Sequence, residues 1–160
     1  MSISFTWIGH SCFTFDIDGH PIVIDPFIND NPITNTSADD IAAEVILLTH
    51  AHGDHSSDVD AIAKRTDATL VTNFECGNVY GALGVQNIVQ GNPGGAYDAG
   101  FMQVKWTIAH HSSSFPDGTY GGQPNGFVIF ADGMKLYFAG DTALFLDMQL
   151  IGEEGLDVAF

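Results

Sequence analysis

Apolar and polar positions alternate over residues 12–17, with Phe13, Phe15 and Ile17 on one side and Cys12, Thr14 and Asp16 on the other. This period of two marks a half-buried strand. Asp18-Gly19 then separates it from the run "IVID", a hairpin signal. A loop rich in Asn, Asp and Pro follows Asp25, and residues 45–49, "VILLT", form a continuous apolar run. A strand covered on both faces has that composition. The next stretch, "SSDVDAIAKR", predicts a helix with Val59, Ile62 and Ala63 on one face and Ser56 or Ser57 as its N-cap. "ATLVT" predicts another strand, "FECGNVYGALG" a short helix ending at glycine, and residues 101–109 a strand that runs straight into His110 and His111. A second hairpin, "GFVIFADGMKLYFAGD", turns on Asp132-Gly133 and delivers Asp141 just past its second strand. "TALFLDMQLIG" predicts a helix, and "LDVAF" reads as the start of a buried strand. Strands and helices in this mixed order predict a layered α/β protein, residues 1–160 forming one domain.

Between the run "VILLT" and the helix after it, His50, His52, Asp54 and His55 fall within six residues. Chance would place these residue types in that pattern in roughly one such chain in a thousand, a crude test of a motif match. Imidazole and carboxylate together suit Zn²⁺, Fe and Mn²⁺. In a turn between a strand and a helix, side chains two apart need not point in opposite directions. His50 and His52 can therefore aim at one point and Asp54 and His55 at a second one nearby, the arrangement of two adjacent metal sites.

Composition narrows the partners. Twenty acids against four bases give a formal charge of −16. Lys64, Arg65, Lys105 and Lys135 are too few to follow a phosphate backbone, so nucleic acid is not an expected partner. No apolar run approaches the length of a membrane span. The opening residues carry no basic stretch followed by an apolar one, so a signal peptide is not expected and the cytoplasm is. Cys12 and Cys76 lack a CxxC spacing and read as free thiols.

The pattern H-x-H-x-D-H after an apolar strand ending in Thr49 resembles the signature of the metallo-β-lactamase superfamily. "WIGHSCFTFDIDG", "IVIDPFINDNP", "AHHSSSFPDGTYGG" and "LYFAGDTALFLDM" extend the resemblance over nearly the whole chain, to a branch of small microbial metal-dependent hydrolases. Ascorbate-6-phosphate lactonase and N-acyl-phosphatidylethanolamine phospholipase D are more distant relatives in the same style. The resemblance implies an αββα sandwich with two divalent metal ions, Zn²⁺ first and Mn²⁺ or Fe as alternatives, at one edge between the sheets. It assigns His50 and His52 to the first metal, Asp54 and His55 to the second, and Asp141 to both. The remaining ligand of the first metal is His110 or His111. His111 is favoured because it directly precedes a serine, as the ligand does in relatives. His110 then lines the pocket or packs. Asp25 is expected to support the site rather than bind metal, as acceptor for a ligand N–H. His10 is expected to face the pocket as an outer-shell or substrate contact. The serines at 112–114 are expected to shape the loop or hydrogen-bond substrate.

The implied chemistry is hydrolysis by a metal-bound hydroxide, with Asp54 or Asp141 orienting the water or shuttling its proton. The substrate expected is a small ester, lactone, amide or phosphodiester. Relatives continue through further strands and a helix that bring another histidine, whereas no histidine follows His111 here. The chain is therefore expected to be a member of the fold whose C-terminal part is missing. Two other readings stay open: a mononuclear metal-binding module with little turnover, and an iron oxidoreductase. Iron-using relatives usually place a carboxylate in the histidine cluster and carry a flavin domain, and neither feature is visible in residues 1–160. Homo-oligomers are common in the superfamily and are an expected state.

Overall fold

The structure is a computed structural model, and it describes residues 2–160. Eleven strands form two sheets. The first holds β1 (Ile3–Gly9), β2 (Cys12–Ile17), β3 (His20–Ile24), β4 (Val45–Leu47), β5 (Thr69–Asn73) and β6 (Ile88–Gly91), in that spatial order. The second runs β11-β10-β9-β8-β7, with β7 at Ala96–Asp98, β8 at Gln103–Ile108, β9 at Asn125–Ala131, β10 at Met134–Phe138 and β11 at Val158–Ala159. Four helices accompany them: α1 (Gly53–Ser56), α2 (Val59–Thr66), α3 (Phe74–Ala82) and α4 (Met148–Gly152).

The period of two explains why this chain builds two cores. In the apolar run at β4, Val45 and Leu47 point between the sheets, while Ile46 and Leu48 point outward to α2 and α3. The inter-sheet core joins Phe15, Ile22 and Ile24 of the first sheet to Trp106, Phe127 and Ile129 of the second. Val59, Ile62, Ala63, Cys76 and Tyr80 close the outer core, as the helical spacing predicts. On the second sheet's far side, Lys105 pairs with Glu154 and Lys135 Nζ donates to the Glu154 carbonyl, holding α4 there. The order helix, sheet, sheet, helix is the expected αββα sandwich. Among the described residues no helix is long and apolar enough to cross a membrane.

Both predicted hairpins form. Ile17 pairs with His20 across Asp18-Gly19, whose φ values are +54° and +90°. Ala131 pairs with Met134 across Asp132-Gly133 in the same way. Two positive φ values in a two-residue loop match the twist of the flanking strands.

Two predicted helices need correction. Neither Ser56 nor Ser57 caps α2, because Gly53–Ser56 makes its own single turn first and Ser56 Oγ donates to the Ala51 carbonyl. Asp58 takes the cap position but makes no cap hydrogen bond. Its carboxylate instead accepts from Ile28 N at 2.7 Å, Asn29 N at 3.1 Å and Asn29 Nδ2 at 2.8 Å. The helix expected over 142–152 is helical only from Met148. Upstream, His110 N donates to Thr142 Oγ1 and Ala143 N donates to the His110 carbonyl, so that segment is occupied by a loop–loop pairing. Strands β6 and β7 are short and half-exposed, and their sequences "IVQG" and "AYD" carry no period to announce them.

Cys12 and Cys76 are free and fully buried, and burial pushes both thiols up to about 12. Phe127 is completely buried at the centre of the inter-sheet core. Phe127→Ala is expected to lower unfolding stability by about 3–5 kcal/mol, read from urea titration, because packed neighbours on both sheets cannot collapse into the cavity.

Candidate metal centre

The chain brings His50, His52 and His55, which follow β4, together with His111, which follows β8, and Asp141, which lies just past β10. Parallel pairing puts Ile24 beside Leu47, so the residues that follow each strand, Asp25 and Thr49, meet. Asp25 Oδ1 accepts from Thr49 N at 2.8 Å, and Oδ2 accepts from Thr49 Oγ1 at 2.7 Å and from His55 Nδ1 at 2.8 Å. The His52 carbonyl accepts from both His55 N and Ser56 N, which folds the turn tightly. Asp141 arrives from the other sheet. Gly140 (φ +63°) lies so close to Thr49 that an added Cβ would stand 3.0 Å from its Cβ and Cγ2. A glycine there lets the two sheet ends approach.

His50 and His55 are fully buried, His52 and Asp141 half-buried, and His10, Asp54 and His111 exposed. The nitrogens of His50, His52 and His111 lie within 4.8 Å of one another, and so do donor atoms of His10, Asp54 and His55. Asp141 stands between the groups, 3.4 Å from His55 Nε2 and 3.5 Å from His111 Nε2. His110 is outside both groups. Its ring packs edge-on against Phe145, with centroids 4.8 Å apart.

Proton positions follow from counting donors. As a carboxylate, Asp25 can only accept, so the single Thr49 hydroxyl proton goes to it. Thr49 Oγ1 must then accept from His50 Nδ1, at 2.9 Å, which leaves the lone pair of His50 Nε2 facing His52 Nδ1 at 3.0 Å. His55 donates through Nδ1 to the same carboxylate, and its Nε2 is buried without a hydrogen-bond partner, since Asp141 is not aligned for one. One carboxylate thus sets the orientation of two histidines, one directly and one through Thr49. The motif alone did not reveal Thr49, which orients His50, or Asp58, which pins the loop at Ile28 and Asn29.

Burial and the neighbouring histidines His55, His52, His111 and His10 push His50 down to about 2, so its imidazole stays neutral. At His55 burial also opposes the charge, but the hydrogen bond to Asp25 and the charges of Asp25, Asp141 and Asp54 outweigh it and raise its pKa.

The donor set fits divalent metal. Ligand bonds of about 2.0–2.2 Å to a tetrahedral ion put donor atoms roughly 3.4 Å apart. The separations here are 3.0 Å for His50 Nε2 and His52 Nδ1, 3.5 Å for His111 and Asp141, 3.4 Å for His55 and Asp141, and 3.2 Å for His10 Nε2 and Asp54 Oδ2. A buried, unpartnered imidazole nitrogen with an inward lone pair is otherwise a cost to folding.

Comparisons with known proteins show the family. Residues 4–160 match the family model described as beta-lactamase superfamily domain. A UPF0173 metal-dependent hydrolase of Shouchella clausii is 47% identical over 158 residues, covering 95% of this chain and 69% of its own. One of Flavobacterium johnsoniae is 48% identical over 149 residues, covering 91% and 65%. The chain thus spans about two thirds of the length of these curated relatives. Among solved structures it is similar to Igni18, a metallo hydrolase from Ignicoccus hospitalis, at 35% identity and TM-score 0.86, covering 98% of this chain and 69% of that one. The chain belongs to the beta-lactamase superfamily, among its metal-dependent hydrolases.

Proposed function

We propose that His50, His52 and His111 hold one divalent cation, that Asp54 and His55 hold a second, that Asp141 is shared between them, and that the site hydrolyses a small ester, lactone, amide or phosphodiester. The convergence of His50, His52 and His111 from two distant segments, with all three nitrogens within 4.8 Å, carries the reading. When bound, the cations supply Lewis acidity and lower the pKa of water from 15.7 towards about 7.

The chain's own residues do the rest. His50 presents a neutral nitrogen because Thr49 holds its other proton, and Asp25 holds that of His55. Asp54 or Asp141, both reached by solvent, orients the attacking water or takes its proton. Ser112 Oγ, 3.4 Å from His52 Nε2, stands at the rim where substrate enters. Ser113 instead shapes the loop, accepting from Ala51 N and donating to the Gly121 carbonyl. With four bases in the chain, a neutral or mildly anionic substrate suits the site better than a long polyanion. The expected order of metals is Zn²⁺, then Mn²⁺ or Fe.

A substrate panel tests this. p-Nitrophenyl acetate, a γ-lactone and bis(p-nitrophenyl) phosphate are offered to the chain with each metal. Turnover of at least one, abolished by chelator and by His52→Ala, is expected. Equal rates with and without chelator on every substrate would refute it.

A further inference from the structure

We infer that His10 is a ligand of the second cation, beside Asp54, His55 and Asp141; the inference rests on the metal-site reading above. Three observations carry it. His10 Nε2 is 3.2 Å from Asp54 Oδ2, near the edge of a coordination tetrahedron, and its ring centroid is 5.0 Å from that of His55. His55, with no exposed surface, sends an unpartnered Nε2 toward the same space. Donor atoms of His10, Asp54 and His55 all fall within 4.8 Å of one another.

The backbone at His10 is built for aim. The β1–β2 pairing shifts register between Trp7 and Gly9, the kind of bulge that re-aims a side chain beside a site. His10 itself has φ +52°, a left-handed conformation uncommon for a residue with a Cβ. Trp7 Nε1 donates to the His10 carbonyl at 2.8 Å and the ring meets Phe27 edge-on, so both backbone and imidazole are held. The positive φ is the one a tight β1–β2 turn requires, and that turn leaves the His10 imidazole beside Asp54. The donor types suit a divalent ion as well: the imidazoles of His10 and His55 and the carboxylates of Asp54 and the shared Asp141, with His55 oriented by Asp25 behind it.

The test uses His10→Asn, since asparagine tolerates the left-handed backbone and removes the imidazole. Bound metal per chain is measured by plasma mass spectrometry after Zn²⁺ loading, with affinities from chelator competition. The expected result is about two ions in the unmodified chain and about one in His10→Asn, the second binding at least about a hundredfold weaker while the first is unchanged. His52→Ala loses the other ion. A His10→Asn chain that keeps both ions with affinities within about threefold, or an unmodified chain that takes up only one, overturns the role of His10. Failure of the unmodified chain to bind any metal overturns the metal-site reading itself. If the variant does not fold, ¹⁵N-histidine spectra of the unmodified chain decide. His10 Nε2 is expected to move to the coordinated range at the second equivalent of Zn²⁺, and no movement refutes the inference.

Discussion

His50→Ala is expected to remove the first cation and to slow hydrolysis at least about a thousandfold, some 4 kcal/mol of barrier. His50 is the most constrained of the donors. It is fully buried, kept neutral by burial and by the surrounding histidines, and fixed in one tautomer by Thr49. Alanine deletes a preorganised nitrogen that neither His52 nor His111, both more exposed, can replace by moving inward. The metal-free fold should lose less, about 1–3 kcal/mol, because the hydrogen bonds to Thr49 Oγ1 and His52 Nδ1 disappear. Metal content, initial rates and thermal unfolding of the same preparation separate the two effects.

Asp25→Asn is the second variant with a large expected effect, although Asp25 touches no substrate. Asparagine tolerates the φ of +45° at this position, so the backbone is not the variable. Its oxygen can still accept from Thr49 N, but its amide N–H then faces Thr49 Oγ1 and His55 Nδ1, which both donate to the native carboxylate. His55 relieves the clash by moving its proton to Nε2, the atom the second cation requires. Metal affinity at that site should fall about 10–100-fold, the cost typical of losing an orienting partner. Stability should fall by about 1–3 kcal/mol through unsatisfied buried groups. Competition titration and urea unfolding read the two losses. An affinity equal to that of the unmodified chain would mean that His55 is oriented by something other than Asp25.

Much of this architecture was legible in the residue pattern, for identifiable physical reasons. Continuous apolar runs and Asp-Gly dipeptides announced β3, β4, β9 and β10, because burial on two faces and positive φ each demand particular residues. The cluster from His50 to His55 was visible because its donors share one tight turn. His111 could be favoured over His110 only through resemblance. The structure sets His111 near His50 and His52 and turns His110 toward Phe145. What stayed hidden depends on tertiary contact. The hydrogen bonds of Thr49 need β3 and β4 in register, and the hold of Asp58 on the loop at Ile28 and Asn29 joins residues about thirty positions apart. The pairing of His10 with Asp54 joins residues 44 positions apart and leaves no local trace. The shortened α4 belongs to the same class, since the segment before it is held by His110 rather than by its own helical bonds.

The central claim is that the histidine and aspartate cluster works by holding metal, and reconstitution tests it most directly. The chain is stripped with chelator, and hydrolysis of the best substrate from the panel is followed as Zn²⁺, Mn²⁺ or Fe²⁺ is added in known equivalents. The account predicts no turnover by the stripped protein, a rate that rises with added cation and saturates, and a flat response from His52→Ala. Turnover by the stripped chain at the rate of the loaded one would contradict it.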